Sequence, residues 1–359
     1  MDKLSLLIWG ALTLCSIRHG LAFTTPIVPS HRTVALLKCS TSFTSLHATQ
    51  TNRICRARDL IKSLVEEEEC FTTEMGARAF HDVCAVNVVY EDRFCPQPFN
   101  GKSEVLQRLL EKVEERQKEK KGNDSAVRID KISDGNSACG FAWTWTCGSE
   151  EGLRGTTYVE LNDNGQIQYV SEIPEPIFKP GDLTRQLLEA VTAGAEEKPT
   201  QPLQPRENPP VEANEIAKYL YVDLQNADRQ AVMEETLKLF DDKVIYRDFN
   251  FEDVFRGKEQ VREFIQDFSF PGIEFRPLRF DDGVDSTCFT WEVVLDGAED
   301  TIKGMSFYEL DPSSRKIVYV RDVPESAIKP PILGTWARQL RPGLGVFQGA
   351  PIGSRPNGL

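Results

Sequence analysis

Tyr90-Glu91-Asp92, with Gly101-Lys102 after it, returns in the same chain as Tyr246-Arg247-Asp248 with Gly257-Lys258 after it. Outward from that pair the likeness continues. Phe141-Ala142-Trp143 matches Phe289-Thr290-Trp291, and Gly155-Thr156-Thr157-Tyr158-Val159-Glu160-Leu161 matches Gly304-Met305-Ser306-Phe307-Tyr308-Glu309-Leu310. Ile167 to Glu175 matches Ile317 to Glu325, and Lys179-Pro180 matches Lys329-Pro330. The spacing between partners drifts only from 156 (246 − 90) to 148 (289 − 141) and 150 (317 − 167). Few insertions therefore separate two copies of an entire domain, a unit too long for a solenoid repeat. What both copies keep is expected to be fold; what one copy has alone is candidate chemistry.

Each copy reads in the same order. A helix is expected over Asp59–Glu69 and over Ala213–Gln225, where Ile216, Leu220 and Leu224 recur at helical spacing. A second helix follows over Thr73–Cys84 and Arg229–Phe240, then a strand ending in Tyr-x-Asp. A loop holding Phe99 or Phe255 ends at the glycine, and a third helix covers Lys102–Lys120 or Lys258–Phe268. Four strands come next, punctuated by turns such as Asn162-Asp163-Asn164-Gly165 and Asp311-Pro312-Ser313-Ser314. A closing apolar helix is expected over Leu183–Val191 and Ile332–Leu340. Three helices before a long run of strands indicate an α+β class. In the central strand Phe141, Trp143, Trp145 and Cys147 share one face, as do Phe289, Trp291 and Val293. Large aromatics on one face need cover, and the helices are available to supply it. The mixed charge run Glu111 to Lys121 reads as a solvated helix face laced with pairs four residues apart.

This order, with a Tyr-x-Asp strand leading through an aromatic loop to Gly-Lys, resembles the SnoaL-like branch of the nuclear-transport-factor-2-like fold, over most of each copy. The resemblance implies two tandem cone-like domains, each with about three helices packed on a curved, mostly antiparallel sheet and a pocket at the cone's mouth. Members include isomerases, polyketide cyclases, dehydratases, ligand-binding modules and scaffolds, so the fold leaves the activity open. They often pair through their sheets, which implies an internal pseudo-dimer here. In the family's enzymes a cone carboxylate moves protons, assisted by a tyrosine, a histidine or a second acid.

On that basis Asp92 or Asp248 is the candidate catalytic base, and Tyr90 or Tyr246 the candidate oxyanion donor. Each pair lies two residues apart, hence on one face of its strand. The same aspartates could cap the loop that follows, and their retention in both copies suits a fold role. Glu172 and Asp322 lie on the last strand of their copies: deep and perturbed if that face lines the cone, solvated with Arg321 nearby if it is the strand's end. Trp143, Trp145, Trp291, Phe99 and Phe255 are the expected ligand-lining aromatics. His81 is the only histidine after His47, and copy two has none. That puts histidine-assisted chemistry in doubt for copy two and argues against a histidine-containing metal site. No phosphate loop, Ser/His/Asp set or HExxH occurs, and neither metal nor cofactor is expected. The main expectation is a binding or assembly module for an apolar small molecule or a protein partner. The alternative is an isomerase, cyclase or dehydratase acting on a hydrophobic carbonyl substrate. The extra cysteines and the histidine lean the ligand toward copy one.

The 359 residues divide accordingly. Residues 1–22 read as a signal peptide, with a short apolar run and Gly20-Leu21-Ala22 before the cleavage point. Residues 23–55 read as a transit peptide: Phe23 to Arg58 holds no Asp or Glu but many Ser, Thr and Arg. Together they resemble the bipartite presequence of algae with secondary plastids, which implies a plastid location; secretion is the alternative. Residues 56–193 and 213–341 are the two domains, joined by a linker at 194–212 and followed by a Gly/Pro-rich tail at 342–359. The linker is stiffened by Pro199, Pro202, Pro205, Pro209 and Pro210. Without residues 1–58 the chain carries 35 basic and 54 acidic side chains, net −19 (35 − 54). Such a surface repels phosphate backbones, so nucleic acid is an unfavourable partner. No later stretch is apolar enough to span a bilayer, so the mature chain is expected to be soluble. The six cysteines after residue 58 form no CxxC pair and five lie in copy one, so free, mostly buried thiols are expected.

Overall fold

A computed structural model describes residues 56–118, 125–196, 199–203, 206, 208–225, 227–269, 271–296 and 301–325. The segments expected to be a presequence and a closing helix over Ile332–Leu340, and the Gly/Pro-rich tail, lie outside them. Copy one begins with α1 (Ala57–Lys62), which continues as a π-turn over Ser63–Glu67, then α2 (Glu74–Val83) and β1 (Cys84–Asp92). A two-residue β2 (Phe99–Asn100) leads into α3 (Gly101–Lys118). The strands β3 (Ser125–Ile132), β4 (Ala138–Cys147), β5 (Glu150–Leu161) and β6 (Ile167–Pro174) follow, then α4 (Asp182–Val191). Copy two repeats the order: α5 (Ala213–Lys218) with its π-turn, α6 (Arg229–Leu239), β7 (Phe240–Asp248), β8 (Phe255–Arg256) and α7 (Lys258–Asp267). It ends in β9 (Ile273–Phe280), β10 (Ser286–Leu295), β11 (Ile302–Leu310) and β12 (Ile317–Pro324).

The sheets have the orders β2-β1-β6-β5-β4-β3 and β8-β7-β12-β11-β10-β9. All neighbours are antiparallel except β1 with β6 and β7 with β12, which run parallel. The fold is thus α+β, two tandem cone-like domains on mixed six-stranded sheets. The parallel pairs position the site. Their registers set Asp92 beside Glu172 and Asp248 beside Asp322.

Local chemistry explains the repeated motif. Thr73 caps α2 by accepting from the Gly76 N–H at 3.0 Å, and Asp228 caps α6 the same way. Gly101 and Gly257 each take φ +81° where the short strand turns into the third helix, a conformation costly for any residue with a Cβ. The lysines that follow tie this corner down: Lys102 Nζ donates to the Asp82 carbonyl at 3.2 Å, and Lys258 Nζ pairs with Asp242 at 2.8 Å. Gly-Lys is therefore a fold element.

Each cone has its own core. In copy one the helices cover Phe141, Trp143 and Trp145; in copy two they cover Phe289 and Trp291. The opposite faces of the sheets are buried too, which is why β4 is buried from Ala138 through Trp145. A third cluster lies between the sheets and includes Tyr158, Ile173, Phe249, Cys288, Met305, Phe307 and Val323. The polar contacts around it obey a two-fold. Asp134 Oδ1 accepts from the backbone N–H of Asp285 and Ser286 at 3.1 and 2.9 Å, and Asp282 Oδ1 accepts from Asn136 and Ser137 at 2.8 and 3.0 Å. Arg279 pairs with Glu160 at 2.7 Å while Lys131 pairs with Glu309. Arg279 lies 4.0 Å over the Tyr169 ring and Lys131 lies 4.4 Å over Tyr319. Residues at matching repeat positions thus exchange contacts, the signature of an isologous interface built inside one chain.

The six cysteines among the described residues are free, and Cys70, Cys84, Cys139 and Cys288 are buried. No helix among the described residues is long and apolar enough to cross a membrane.

Candidate functional site

The parallel strand pairs bring Tyr90, Asp92 and Glu172 together in copy one, and Tyr246, Asp248 and Asp322 together in copy two. All six are buried. The solvated reading of Glu172 and Asp322 is corrected: the face that carries them points into the cone. Arg321 does not attend them. Alternation sends its side chain to the sheet–sheet interface, where Nε donates to Thr156 Oγ1 at 2.8 Å and the guanidinium lies 4.1 Å over the Phe249 ring.

In copy one the cone is filled by ion pairs. Tyr90 Oη donates to Glu172 Oε2 at 2.6 Å. Lys112 Nζ reaches the Tyr90 hydroxyl at 2.7 Å, Glu172 Oε1 at 2.6 Å and Asp92 Oδ2 at 3.0 Å. Arg108 donates twice to Asp92 Oδ2, at 3.0 and 2.8 Å. The other Asp92 oxygen caps the loop, accepting from Phe94 N–H at 3.0 Å. Burial pushes the Asp92 carboxyl up, but Lys112 and Arg108 together outweigh it and hold the group at about 2. Two acids meet two bases and little proton affinity is left. The expected base of copy one is therefore neutralised, and the loop-capping role is also present.

Lys112 corrects the solvated reading of the charge run Glu111 to Lys121. Its position on α3 faces the core with Val105, Leu109 and Val113, and two carboxylates make its burial tolerable.

Copy two keeps the acids and loses the bases. At the repeat spacing of 156, Arg108 corresponds to Phe264 and Lys112 to Phe268. Tyr246 Oη donates to Asp322 Oδ2, Asp248 Oδ1 accepts from Asn250 N–H at 2.7 Å, and Asp322 Oδ1 is buried with no hydrogen-bond partner. Burial and the neighbouring Asp322 charge push Asp248 up to about 7; burial pushes Asp322 up to about 6 against the lowering pull of the Ser306 and Tyr246 hydroxyls. Burial, then the adjacent carboxylates, hold both Tyr90 and Tyr246 well above the usual phenol value, so both stay donors. Two neighbouring carboxyls with raised proton affinity and a phenol donor can hold or move a proton near neutral pH.

Phenylalanines close this site. The Phe264 ring lies 5.2 Å from Tyr246, 4.7 Å from Phe255 and 5.0 Å from Phe268, and Phe251 touches Phe255, Phe264 and Phe268. The outer side of this cluster floors a cleft of about 670 Å³. Acids rim it: Asp182 from α4, Glu252, Asp253, Glu263 and Asp267, with Arg256 as the base.

Of the aromatics expected to line a ligand, Phe255 lines this cleft. Phe99 packs on Tyr90 with Arg108 over its ring. Trp143, Trp145 and Trp291 sit in the cores; Trp143 Nε1 donates to Thr157 at 3.0 Å and Trp291 Nε1 to Ser306 at 2.8 Å. His81 lies half-buried beside Asp82, away from the acids. No group of three or more His, Cys, Asp or Glu among the described residues is placed to hold a metal. The exchange of Arg108 and Lys112 for Phe264 and Phe268 is visible in the aligned copies, and is the signal that reading the motifs alone missed.

The family comparison falls on copy two. Residues 221–320 match the model of the SnoaL-like domain. Copy one, outside that match, repeats the strand order and parallel registers of copy two. Among solved structures, a candidate ketosteroid isomerase from Kribbella flavida is 19% identical over 33% of this chain and 81% of its own, with a TM-score of 0.28. A candidate isomerase of the SnoaL-like family from Agrobacterium tumefaciens is 17% identical over 31% of this chain and 96% of its own, at 0.27. An NTF2-like protein of unknown function from an Exiguobacterium species is 20% identical over 30% and 97%, at 0.25. No curated protein matches.

Proposed function

We propose that the protein is a binding module in which copy one is a structural support and copy two receives an apolar small molecule through a polar head group. One observation carries this reading: Phe264 and Phe268 stand where Arg108 and Lys112 neutralise the acids of copy one, leaving Asp248 and Asp322 without a cation. The earlier lean toward copy one is reversed on the same ground. The Asp92–Glu172 cluster of copy one is already closed by six side-chain contacts, whereas Asp322 Oδ1 has an acceptor site to give.

The test is fluorescence titration with 2-naphthol, an apolar phenol whose hydroxyl can donate to Asp322. Binding weakened about tenfold by Asp322→Asn or Tyr246→Phe and unchanged by Tyr90→Phe supports the reading. No binding, or equal loss from variants in both copies, refutes it.

The raised proton affinities of Asp248 and Asp322 favour a second reading, an isomerase, cyclase or dehydratase with Asp248 as base and Tyr246 as oxyanion donor. Proton exchange from the α-carbon of a bound cyclic ketone, lost in Asp248→Asn, would establish it; a ketone that binds without exchange would exclude that step for it. The presequence further supports a plastid location, which a fluorescent fusion of residues 1–58 would check by its compartment.

A further inference from the structure

We propose that the ligand of copy two is an organic cation, an ammonium or guanidinium on an apolar body, whose charge takes the place that Arg108 and Lys112 occupy in copy one. The inference rests on the reading that copy two is the ligand-bearing cone, and adds the chemistry of the head group.

The argument compares the two copies. Copy one shows what the fold does when this interior is complete: two cationic groups within 3.0 Å of Asp92 and Glu172. Copy two presents two acids, Asp248 and Asp322, at the sheet register of Asp92 and Glu172, with no cation among the described residues at hydrogen-bond distance and with Asp322 Oδ1 unpartnered. A buried carboxyl pair of this kind gains most from a positive charge brought within reach, because little solvent screens it. A neutral hydroxyl would satisfy Oδ1 but would leave the second acid uncompensated.

The approach fits the same ligand. The cleft lies one phenyl ring away, since Phe264 both touches Tyr246 and lines the cleft. Faces of Phe251, Phe255, Phe264 and Phe268 attract cations as well as apolar bodies. Its rim carries five acids against one arginine, which draws cations and repels carboxylates and phosphates. A volume of about 670 Å³ suits a small organic molecule. With Phe264 displaced, an ammonium on a short alkyl arm reaches Asp248 and Asp322 while its apolar part stays on the phenylalanines.

Calorimetric titration of the full mature chain with 4-phenylbutylamine and its neutral counterpart 4-phenyl-1-butanol tests this. The amine should bind at least tenfold more tightly than the alcohol. Asp322→Asn should abolish that preference by weakening the amine far more than the alcohol. Phe264→Arg with Phe268→Lys, which restores the residues of copy one, should block the amine; a circular dichroism spectrum like that of the unaltered chain shows the variant folded. Equal affinities for amine and alcohol would overturn the cation and leave the binding-module reading standing. Failure of both to bind would overturn both.

Discussion

At the residue scale, two aspartates at matching positions of the repeat carry opposite proton affinities, and the cause is two positions, one helical turn apart, on the facing helix. Asp92 lies at about 2 and Asp248 at about 7, against an ordinary 3.8. The signs give opposite dependences on pH. Asp92 favours the fold when ionised, so its contribution is present above about pH 4 and is lost as pH falls toward 2. Asp248 and Asp322 favour the fold when protonated, so theirs is full below about pH 4 and declines as pH rises to about 7 and 6. Asp248→Asn should therefore flatten the fall in Tm between pH 4 and 7, read by thermal denaturation across that range; an unchanged slope would show that Asp248 titrates normally. Asp92→Asn should do the reverse and destabilise the protein at pH 7 by about 3–5 kcal/mol, since it leaves Arg108 and Lys112 short of a buried partner. Urea unfolding measures that loss, and a cost under about 1 kcal/mol would mean the network is not holding copy one together.

At the element scale, much was legible because periodicity and turn chemistry are local. The Tyr-x-Asp strands end at Asp92 and Asp248, and the four-strand runs fall where alternation and turns put them. The site was half legible. Asp92, Asp248, Glu172 and Asp322 could be nominated, but their environment comes from α3 and α7 crossing the parallel pairs, a non-local arrangement that sequence spacing does not encode. The charge run on α3 looked solvated because a helix amphipathic by composition does not show that one of its lysines points at two buried carboxylates. The tryptophans looked like ligand contacts for a similar reason. Gly155 and Gly304 lie across the sheet from Trp143 and Trp291, and an added Cβ would meet those rings at 2.4 and 2.1 Å. The rings thus lie over glycine and finish the core. The sheets meet with equal closeness. A Cβ on Gly140 would fall 2.1 Å from Cys288 Sγ, its own counterpart in the repeat. Gly140→Ala should cost about 1–3 kcal/mol through overpacking, and Cys288→Gly in the same chain should recover part of it. Absence of that recovery in a double-mutant cycle would show that the strands do not meet there.

At the scale of the whole molecule, the repeat makes one chain into a pseudo-dimer whose halves have diverged. Symmetry survives where the halves meet, in the reciprocal caps of Asp134 and Asp282 and the paired bridges of Lys131 and Arg279. It is broken inside the cones, where one copy neutralises its acids and the other covers them with phenylalanine. The shared face is apolar, with Phe249, Met305 and Phe307 buried in it. Residues 213–325 expressed alone should therefore self-associate in sedimentation equilibrium; a stable monomer would show that the sheet face does not require its partner. The division of labour is the central claim, and carboxyl-carbon NMR of residues 56–359 with labelled aspartate tests it most directly, with signals assigned by Asp92→Asn, Asp248→Asn and Asp322→Asn. The account predicts that Asp92 stays ionised down to about pH 2 while Asp248 titrates near 7 and Asp322 near 6. Asp248 and Asp322 titrating near 4 alongside Asp92 would contradict it, because the two cones would then offer the same chemistry.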